Sequence, residues 1–293
     1  MASPSVLFIG VGRMGALMAA RLADAGIALA VTDLSPQALE SFRARGIPAE
    51  RDGADLPGDV VITMLPDDKQ VHEALLGQAG ACRRRERKLV IDMTSASPEG
   101  TRILATELAA LGTALIDAPV SGGMAGARDG SLTAMVGGDS QAFTTALPLL
   151  QLICAKVFHV GPVGSGHIVK ALNNYLSAAT LWTATEALVI GARLGLDPAT
   201  MLAVWDAGSG KSHATEVKLP RHVLTRRFDF GQSLAFFCKD IAIATALAEE
   251  ANVETPALDA ILANWRHARD ALGTQDDITA IARLIEDSAR SSD

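Results

Sequence analysis

Lys170 and Asn174 stand four residues apart in a stretch that carries no other charge until Glu186. Residues four apart on a helix share a face. A lysine held away from bulk water has its charged form disfavoured. Its amine can then take an alcohol proton as hydride leaves, and its ammonium can return a proton in the reverse direction. On an isolated helix a Lys-x-x-x-Asn pair is ordinarily a solvated surface pair. Here it follows Gly164-Ser165-Gly166, small residues that would let a ligand approach, so Lys170 and Asn174 are assigned to catalysis. Asn173 is assigned to the substrate, with a capping or supporting role as the alternative. His167, one turn earlier, is read as structural, because Lys170 already fills the acid–base role.

Two glycine-rich segments suit anions. Gly10-Val11-Gly12-Arg13-Met14-Gly15 follows the apolar run Val6–Ile9 and opens an alanine-rich helix. In such a loop the first glycine permits a tight turn, the second lets backbone approach a pyrophosphate, and the third packs helix on sheet. Asp33 lies 18 residues beyond Gly15, at the end of the second strand. An acid there accepts hydrogen bonds from ribose hydroxyls; the alternative is that Asp33 only begins the turn at Ser35-Pro36. No arginine stands between Asp33 and that helix to meet a 2′-phosphate, so NAD is expected rather than NADP. The second segment, Ser121-Gly122-Gly123, offers a hydroxyl and backbone N–H groups as a carboxylate cradle, with an ordinary glycine-rich turn as the competing reading.

These motifs together resemble the β-hydroxyacid dehydrogenase family. The likeness runs through Gly10–Gly15, through Asp117-Ala118-Pro119-Val120-Ser121-Gly122-Gly123 to Val136-Gly137-Gly138, through Gly164–Asn174, and through Lys239-Asp240. Met64-Leu65-Pro66 and Asp92-Met93-Thr94-Ser95 are lesser matches. The resemblance implies reversible NAD-dependent oxidation of a small 3-hydroxy acid to a semialdehyde or keto acid, without metal. It implies that Met64, Leu65, Pro66, Thr94 and Ser95 line the nicotinamide side of the cofactor. It implies that Lys239 contacts cofactor or substrate; on sequence alone Lys239 is a surface lysine paired with Asp240. It also implies homodimers or homotetramers. Imine reductases share the architecture but lack the lysine, so imine reduction is the alternative. A non-catalytic NAD-binding module is a more distant one.

The elements that must position these residues are legible in the pattern. Short apolar runs at Val6–Ile9, Ala28–Thr32, Val60–Leu65, Leu89–Asp92, Leu115–Asp117, Thr133–Val136 and Val157–Val160 alternate with helical stretches. Such alternation predicts a Rossmann-type, doubly wound and mostly parallel α/β domain over residues 1–162. Serines before prolines at Ser35-Pro36 and Ser97-Pro98 mark helix starts, as do Asp197-Pro198 and Thr255-Pro256. After Gly161 the strands vanish. Helices are expected over 165–194, 197–207, 212–224, 232–252, 256–272 and 276–288, an all-helical substrate and oligomerisation domain over 163–293. Phe236-Phe237 read as core.

With 49% hydrophobic and 20% charged residues the chain can bury a core. Its net charge of -7 argues against nucleic acid. The span from Lys170 to Glu186 is too short and too polar to cross a bilayer; it reads as a helix buried between two domains. No targeting segment is visible, and three separated cysteines suit a cytoplasmic enzyme with free thiols. Arg83-Arg84-Arg85-Glu86-Arg87-Lys88 reads as a solvated loop. Gly208-Ser209-Gly210-Lys211-Ser212 lacks the upstream glycine of a phosphate loop; with His213 it is polar enough for a hydroxylated or second charged substrate end.

Overall fold

The computed structural model describes residues 4–290. It divides into two compact units, residues 1–170 and 171–293.

In the first unit the strands are β1 (Val6–Ile9), β2 (Leu29–Thr32), β3 (Ala49–Glu50), β4 (Val60–Thr63), β5 (Leu89–Asp92), β6 (Ala114–Asp117), β7 (Val120–Ser121), β8 (Leu132–Gly137) and β9 (Cys154–Gly161). Every residue of β1, β2, β4 and β5 is buried, as for strands covered on both faces. Strands β3-β2-β1-β4-β5-β6 run parallel in that order. β8 then pairs antiparallel with β6 and β7, and parallel with β9. The two-residue strands β3 and β7 are too short to show a sequence pattern. The intervening helices are α1 (Gly15–Asp24), α2 (Pro36–Arg43), α3 (Asp68–Leu76), α4 (Pro98–Ala109), α5 (Gly123–Asp129) and α6 (Ser140–Ile153).

Helix α7 (Ser165–Arg193) begins in the first unit and runs through the second. The second unit continues with α8 (Pro198–Ala207), a π-helix (Ala214–Val223), α9 (Leu234–Glu250), α10 (Pro256–Leu272), a short 3₁₀ turn (Ile278–Ala280) and α11 (Ile281–Arg290). The stretch expected as an ordinary helix near 212–224 is wider because Pro220 sits inside it. Proline has no N–H to give a regular ladder, and Leu224 N reaches back five residues to the Leu219 carbonyl at 2.9 Å. The core centres on Trp265, which meets Phe237 at 4.7 Å and Trp182 at 5.5 Å, both edge-on.

Four local expectations are corrected. Ser97 caps α4 through Gly100 N, and Asp197 caps α8 through Thr200 N. Ser35 and Thr255 make no such bond, so there the proline alone sets the start. Phe237 is core, but Phe236 is 48% exposed; adjacent helix positions differ by about 100°, so only one can face inward. In the basic run Arg87 is fully buried, while its neighbours are exposed. Its guanidinium donates to the carbonyls of Ala81, Gly58, Ala54 and Leu56. It is a clamp on the loop before β4, satisfying carbonyls that burial would otherwise leave unpaired.

Among the described residues no helix is long and apolar enough to cross a membrane. The three cysteines are buried free thiols, and burial pushes Cys82 up to about 11 and Cys154 up to about 12.

Candidate active site

The sheet register builds one edge of the first unit. Ile9 pairs with Thr32 and with Thr63, Thr63 with Asp92, and Asp92 with Asp117. The last residues of five strands therefore form one row. The residues that follow them, Gly10, Asp33, Met64, Met93 and Ala118, leave the sheet side by side. β1 lies between β2 and β4, so the chain reverses its winding direction there, and ligands bind beyond the carboxyl ends of strands at such a point.

The glycine loop is shaped by what each position meets. Gly10 has a φ of +92°, and a Cβ there would overlap the Met64 carbonyl. A Cβ at Gly15 would overlap the Gly10 carbonyl. At Gly12 a Cβ would have nothing within 4 Å, so this is the open side of the loop. Val11 is buried and Met14 packs against the core, leaving backbone and the exposed Arg13 toward solvent. α1 starts with no side-chain cap and no acid in its first turn. Uncapped N–H groups and a positive helix end beside an open glycine are the donor set a pyrophosphate needs, so the residues present fit a dinucleotide.

Asp33 does what both readings of it allow. Its Oδ1 accepts from Ser35 N at 2.8 Å, the turn bond. That bond fixes the carboxylate at the end of β2 and leaves Oδ2 directed by it.

The loops after β4 and β5 are tied together. Asp92, 1% exposed, accepts from the Thr63 hydroxyl at 2.8 Å and from Thr94 N at 3.0 Å. The Thr94 hydroxyl accepts from Leu65 N at 3.1 Å. The Thr94 carbonyl then lies 2.8 Å from His167 Nε2, which must be the donor there. Nδ1 of the same ring shares a 2.8 Å hydrogen bond with the Thr101 hydroxyl.

Asp117, fully buried, closes the chain of bonds. Its Oδ1 accepts from Gly164 N at 2.7 Å, and its Oδ2 from His167 N at 2.9 Å. Oδ2 also lies 3.8 Å from His167 Nδ1. Burial pushes the Asp117 carboxyl above its ordinary range, while His167 and the two backbone N–H groups pull it back. The first turn of α7 is thus bound to the ends of β5 and β6, three residues before Lys170. Gly166 serves this contact rather than ligand approach, since a Cβ there would strike the Met135 carbonyl and stand 2.8 Å from Asp117 Oδ2.

Ser121 ends β7, half-buried, and exposed Gly122 and Gly123 follow with φ of +129° and +61°. Both angles favour glycine. A Cβ at Gly123 would meet nothing within 4 Å, so its need for glycine comes from the backbone angle.

In the second unit Asn174 is 5% exposed, and its Nδ2 donates to Asp240 Oδ2 at 2.8 Å. That bond fixes which way the amide faces. Asn173 Nδ2 donates to Asn174 Oδ1 at 3.5 Å. Lys239 lies 3.6 Å from Asp240 Oδ1 and over the Phe236 ring at 5.8 Å. The positioning residues Asp92, Asp117, His167 and Asp240 were not assigned as site residues from sequence. The signal was an acid at the end of each of two adjacent strands, aligned only once the register is known.

The family model described as the NAD binding domain of 6-phosphogluconate dehydrogenase matches residues 5–161. That for NAD-binding of NADP-dependent 3-hydroxyisobutyrate dehydrogenase matches residues 164–285. The chain is 33% identical to 2-(hydroxymethyl)glutarate dehydrogenase of Eubacterium barkeri, over 95% of this chain and 94% of that one. It is 35% identical to 3-hydroxyisobutyrate dehydrogenase of Pseudomonas aeruginosa, over 86% and 87%. Among solved structures, Mycobacterium tuberculosis 3-hydroxyisobutyrate dehydrogenase with L-serine superposes with a TM-score of 0.87 at 28% identity, covering 97% of this chain and 99% of that one.

The two bonds to Asp117 make a sharp expectation. An amide has one acceptor oxygen, so Asp117→Asn must turn an NH₂ toward either Gly164 N or His167 N. A buried N–H left without an acceptor costs about 1–3 kcal/mol. Urea unfolding of the variant should show a loss of that size, and an unchanged midpoint would mean that the first turn of α7 holds without the carboxylate.

Proposed function

The chain belongs to the β-hydroxyacid dehydrogenase family, and from that footing we propose that it interconverts a small 3-hydroxy acid and its semialdehyde or keto acid, with NAD as cofactor and Lys170 as the proton-transfer group. The family assignment makes it an oxidoreductase with a nicotinamide-dinucleotide-binding domain. The observation that carries the finer reading is the hydrogen-bonded chain from Thr63 through Asp92, Thr94 and His167 to Asp117. It fixes the helix turn that precedes Lys170, which supports the reading.

The glycine loop and the N-terminus of α1 hold the pyrophosphate. Asp33 would accept from the ribose of the bound dinucleotide. Met64, Leu65, Pro66, Thr94 and Ser95 form the wall on the nicotinamide side, with Lys239 as a further contact. The bound dinucleotide would supply a hydride acceptor for the oxidation. Ser121, Gly122 and Gly123 hold the substrate carboxylate through a hydroxyl and two N–H groups. The alcohol proton passes to Lys170 Nζ as the carbonyl forms, and returns from it in reduction. Asn174, its amide set by Asp240, orients the alcohol oxygen, and Asn173 supports it. The activities of the relatives, on 3-hydroxyisobutyrate and 2-(hydroxymethyl)glutarate, support this substrate class. Buried free thiols suit a cytoplasmic setting.

We also propose that the working form is a homodimer or homotetramer. Leu172, Leu176 and Ile190 are exposed at 45%, 63% and 61%. On a helix of 3.6 residues per turn they fall on the side of α7 opposite Asn174. An apolar stripe of that kind suits a second copy of the chain. Light scattering should give a multiple of the 30.5 kDa chain mass, and Leu176→Glu should shift it toward monomer. A monomeric wild type at micromolar concentration would refute this.

Lys170→Ala should retain NAD binding, which rests on the glycine loop, yet lower kcat by roughly 10² to 10⁴. Lys170→Arg should not restore it, because a guanidinium stays protonated. Stopped-flow turnover on the best substrate from a panel of 3-hydroxy acids measures this. Retention of a third of the rate would sink the proton role.

For the cofactor, the carboxylate of Asp33 should repel a 2′-phosphate. kcat/KM with NAD should exceed that with NADP by tenfold or more, about 1.4 kcal/mol. A tenfold preference for NADP would overturn the assignment of Asp33.

A further inference from the structure

No arginine follows Asp33 in the chain before the next helix, yet the fold brings one beside it. β3 is the edge strand next to β2. The register pairs Thr32 with Glu50, the last residues of the two strands. Asp33 and Arg51 therefore follow side by side, one from each strand end. The Thr32 hydroxyl donates to the Arg51 carbonyl at 3.1 Å and holds the two chains together there. Gly53 keeps them close, since a Cβ on it would stand 2.7 Å from the Thr32 methyl. Neighbouring strands lie about 5 Å apart, less than the length of an arginine side chain.

Arg51 is exposed, and among the described residues its guanidinium enters no ion pair. The acids on either side of it are engaged elsewhere. Glu50 lies 3.7 Å from the Arg43 guanidinium. Asp52 Oδ1 accepts from Ala54 N at 2.9 Å, and its Oδ2 lies 4.0 Å from Arg84. On its other side Asp33 has Gly10, because Ile9 also pairs with Thr32. The order across the strand ends is thus glycine loop, Asp33, Arg51. A dinucleotide puts its pyrophosphate at the loop and its ribose hydroxyls at the acid. The pyrophosphate leaves the ribose from its 5′ carbon, and the 2′ oxygen stands on the opposite edge of the ring. A phosphate on that oxygen therefore lies away from the loop, on the side of β3.

We propose that Arg51 is a second cofactor-selecting residue, a ready cation for a 2′-phosphate that the Asp33 carboxylate keeps out of use, so that the choice between NAD and NADP turns on this one pair of side chains. This rests on the reading of the glycine loop and Asp33 as the dinucleotide site. Asp33 repels a 2′-phosphate and Arg51 attracts it, since the guanidinium fork matches phosphate oxygens. Removing the acid alone is then enough to admit NADP. Removing the arginine makes the exclusion of NADP steeper.

The experiment measures calorimetric binding of adenosine 5′-phosphate and adenosine 2′,5′-bisphosphate, which differ only in the 2′-phosphate. The ratio of their affinities is read within each protein, so it does not depend on how much of a variant folds. Asp33→Asn keeps an oxygen for the Ser35 N–H, and Arg51 is exposed, so neither change removes a contact that the fold uses. Relative to wild type, the preference for the bisphosphate should rise about tenfold or more in Asp33→Asn and fall about tenfold or more in Arg51→Gln, the scale of a hydrogen bond to a charged group. In the double variant Asp33→Asn/Arg51→Gln the gain should be lost. A ratio in Arg51→Gln within about twofold of wild type, or a double variant that matches Asp33→Asn, overturns the proposal. The ratio of kcat/KM with NADP to that with NAD, on the best 3-hydroxy acid, should follow the same order. Discrimination between the adenosine phosphates that depends on Arg51, without turnover of any 3-hydroxy acid, would overturn the dehydrogenase reading and leave the role of Arg51 standing. Turnover of 3-hydroxy acids with a ratio blind to Arg51 would do the reverse.

Discussion

The Asp117 carboxylate is the fixed point on which the start of α7 depends. It is buried at the end of a strand, and each of its oxygens holds one N–H from the start of α7. A carboxylate in such surroundings is tolerated because two backbone N–H groups and the nearby His167 ring compensate the lost water. The same bonds dictate where α7 can start. The long helix cannot slide or rotate by one residue without breaking both of them, so the angular position of Lys170 follows from the end of β6. His167 then carries the constraint sideways, to the Thr94 carbonyl and so to the loops after β5 and β4.

That arrangement depends on crowding as much as on hydrogen bonds. The strand ends lie in one row because the parallel register has no slip from β2 across to β6. The backbone then comes so close at Gly10, Gly15 and Gly166 that a methyl group would not fit at any of them. Gly12 differs, since space lies beside it. Three of the four glycines therefore belong to the scaffold, and the fourth marks the side from which a ligand can come.

Much of this was legible in the sequence, and the failures have physical causes. The apolar runs of β1 and β5 predicted their bounds to the residue, because strands buried on both faces are continuous apolar blocks. The glycine loop was legible because it is local. Arg87 was not: whether an arginine in a basic run is solvated or buried depends on four carbonyls up to 33 residues away in the chain. Asp92, Asp117 and Asp240 act through partners in other elements, and no spacing reveals that. At Gly166 the small residue is needed where backbone approaches backbone, and a sequence does not distinguish that from room for a ligand. The burial of Lys218, 2% exposed on the π-helix, was not legible because a lysine on a helix is ordinarily solvated, and it comes from packing against α7 and α9.

The side chains of α7 show how one helix serves unlike surroundings. Ala171, Ala178 and Trp182 fall on one side of it and are buried in the second unit's core. Leu172, Leu176 and Ile190 fall on another and are exposed. Lys170, Asn174 and Ser177 form a third stripe, which later in the helix is continued by Leu181, Thr185 and Leu188. That stripe is polar for its first two turns and buried and mostly apolar afterwards, where the Thr185 hydroxyl is satisfied by the Leu181 carbonyl of its own helix. The change at Ser177 is where the hydroxyl of the stripe meets the ammonium of Lys218 rather than the core. Apolar residues on every side erase the usual two-sided pattern, which is why α7 looked merely uncharged in the sequence. Several of its polar positions have a partner fixed by another element: the Asp117 carboxylate holds the first turn, Asp240 holds Asn174, and Lys218 holds Ser177.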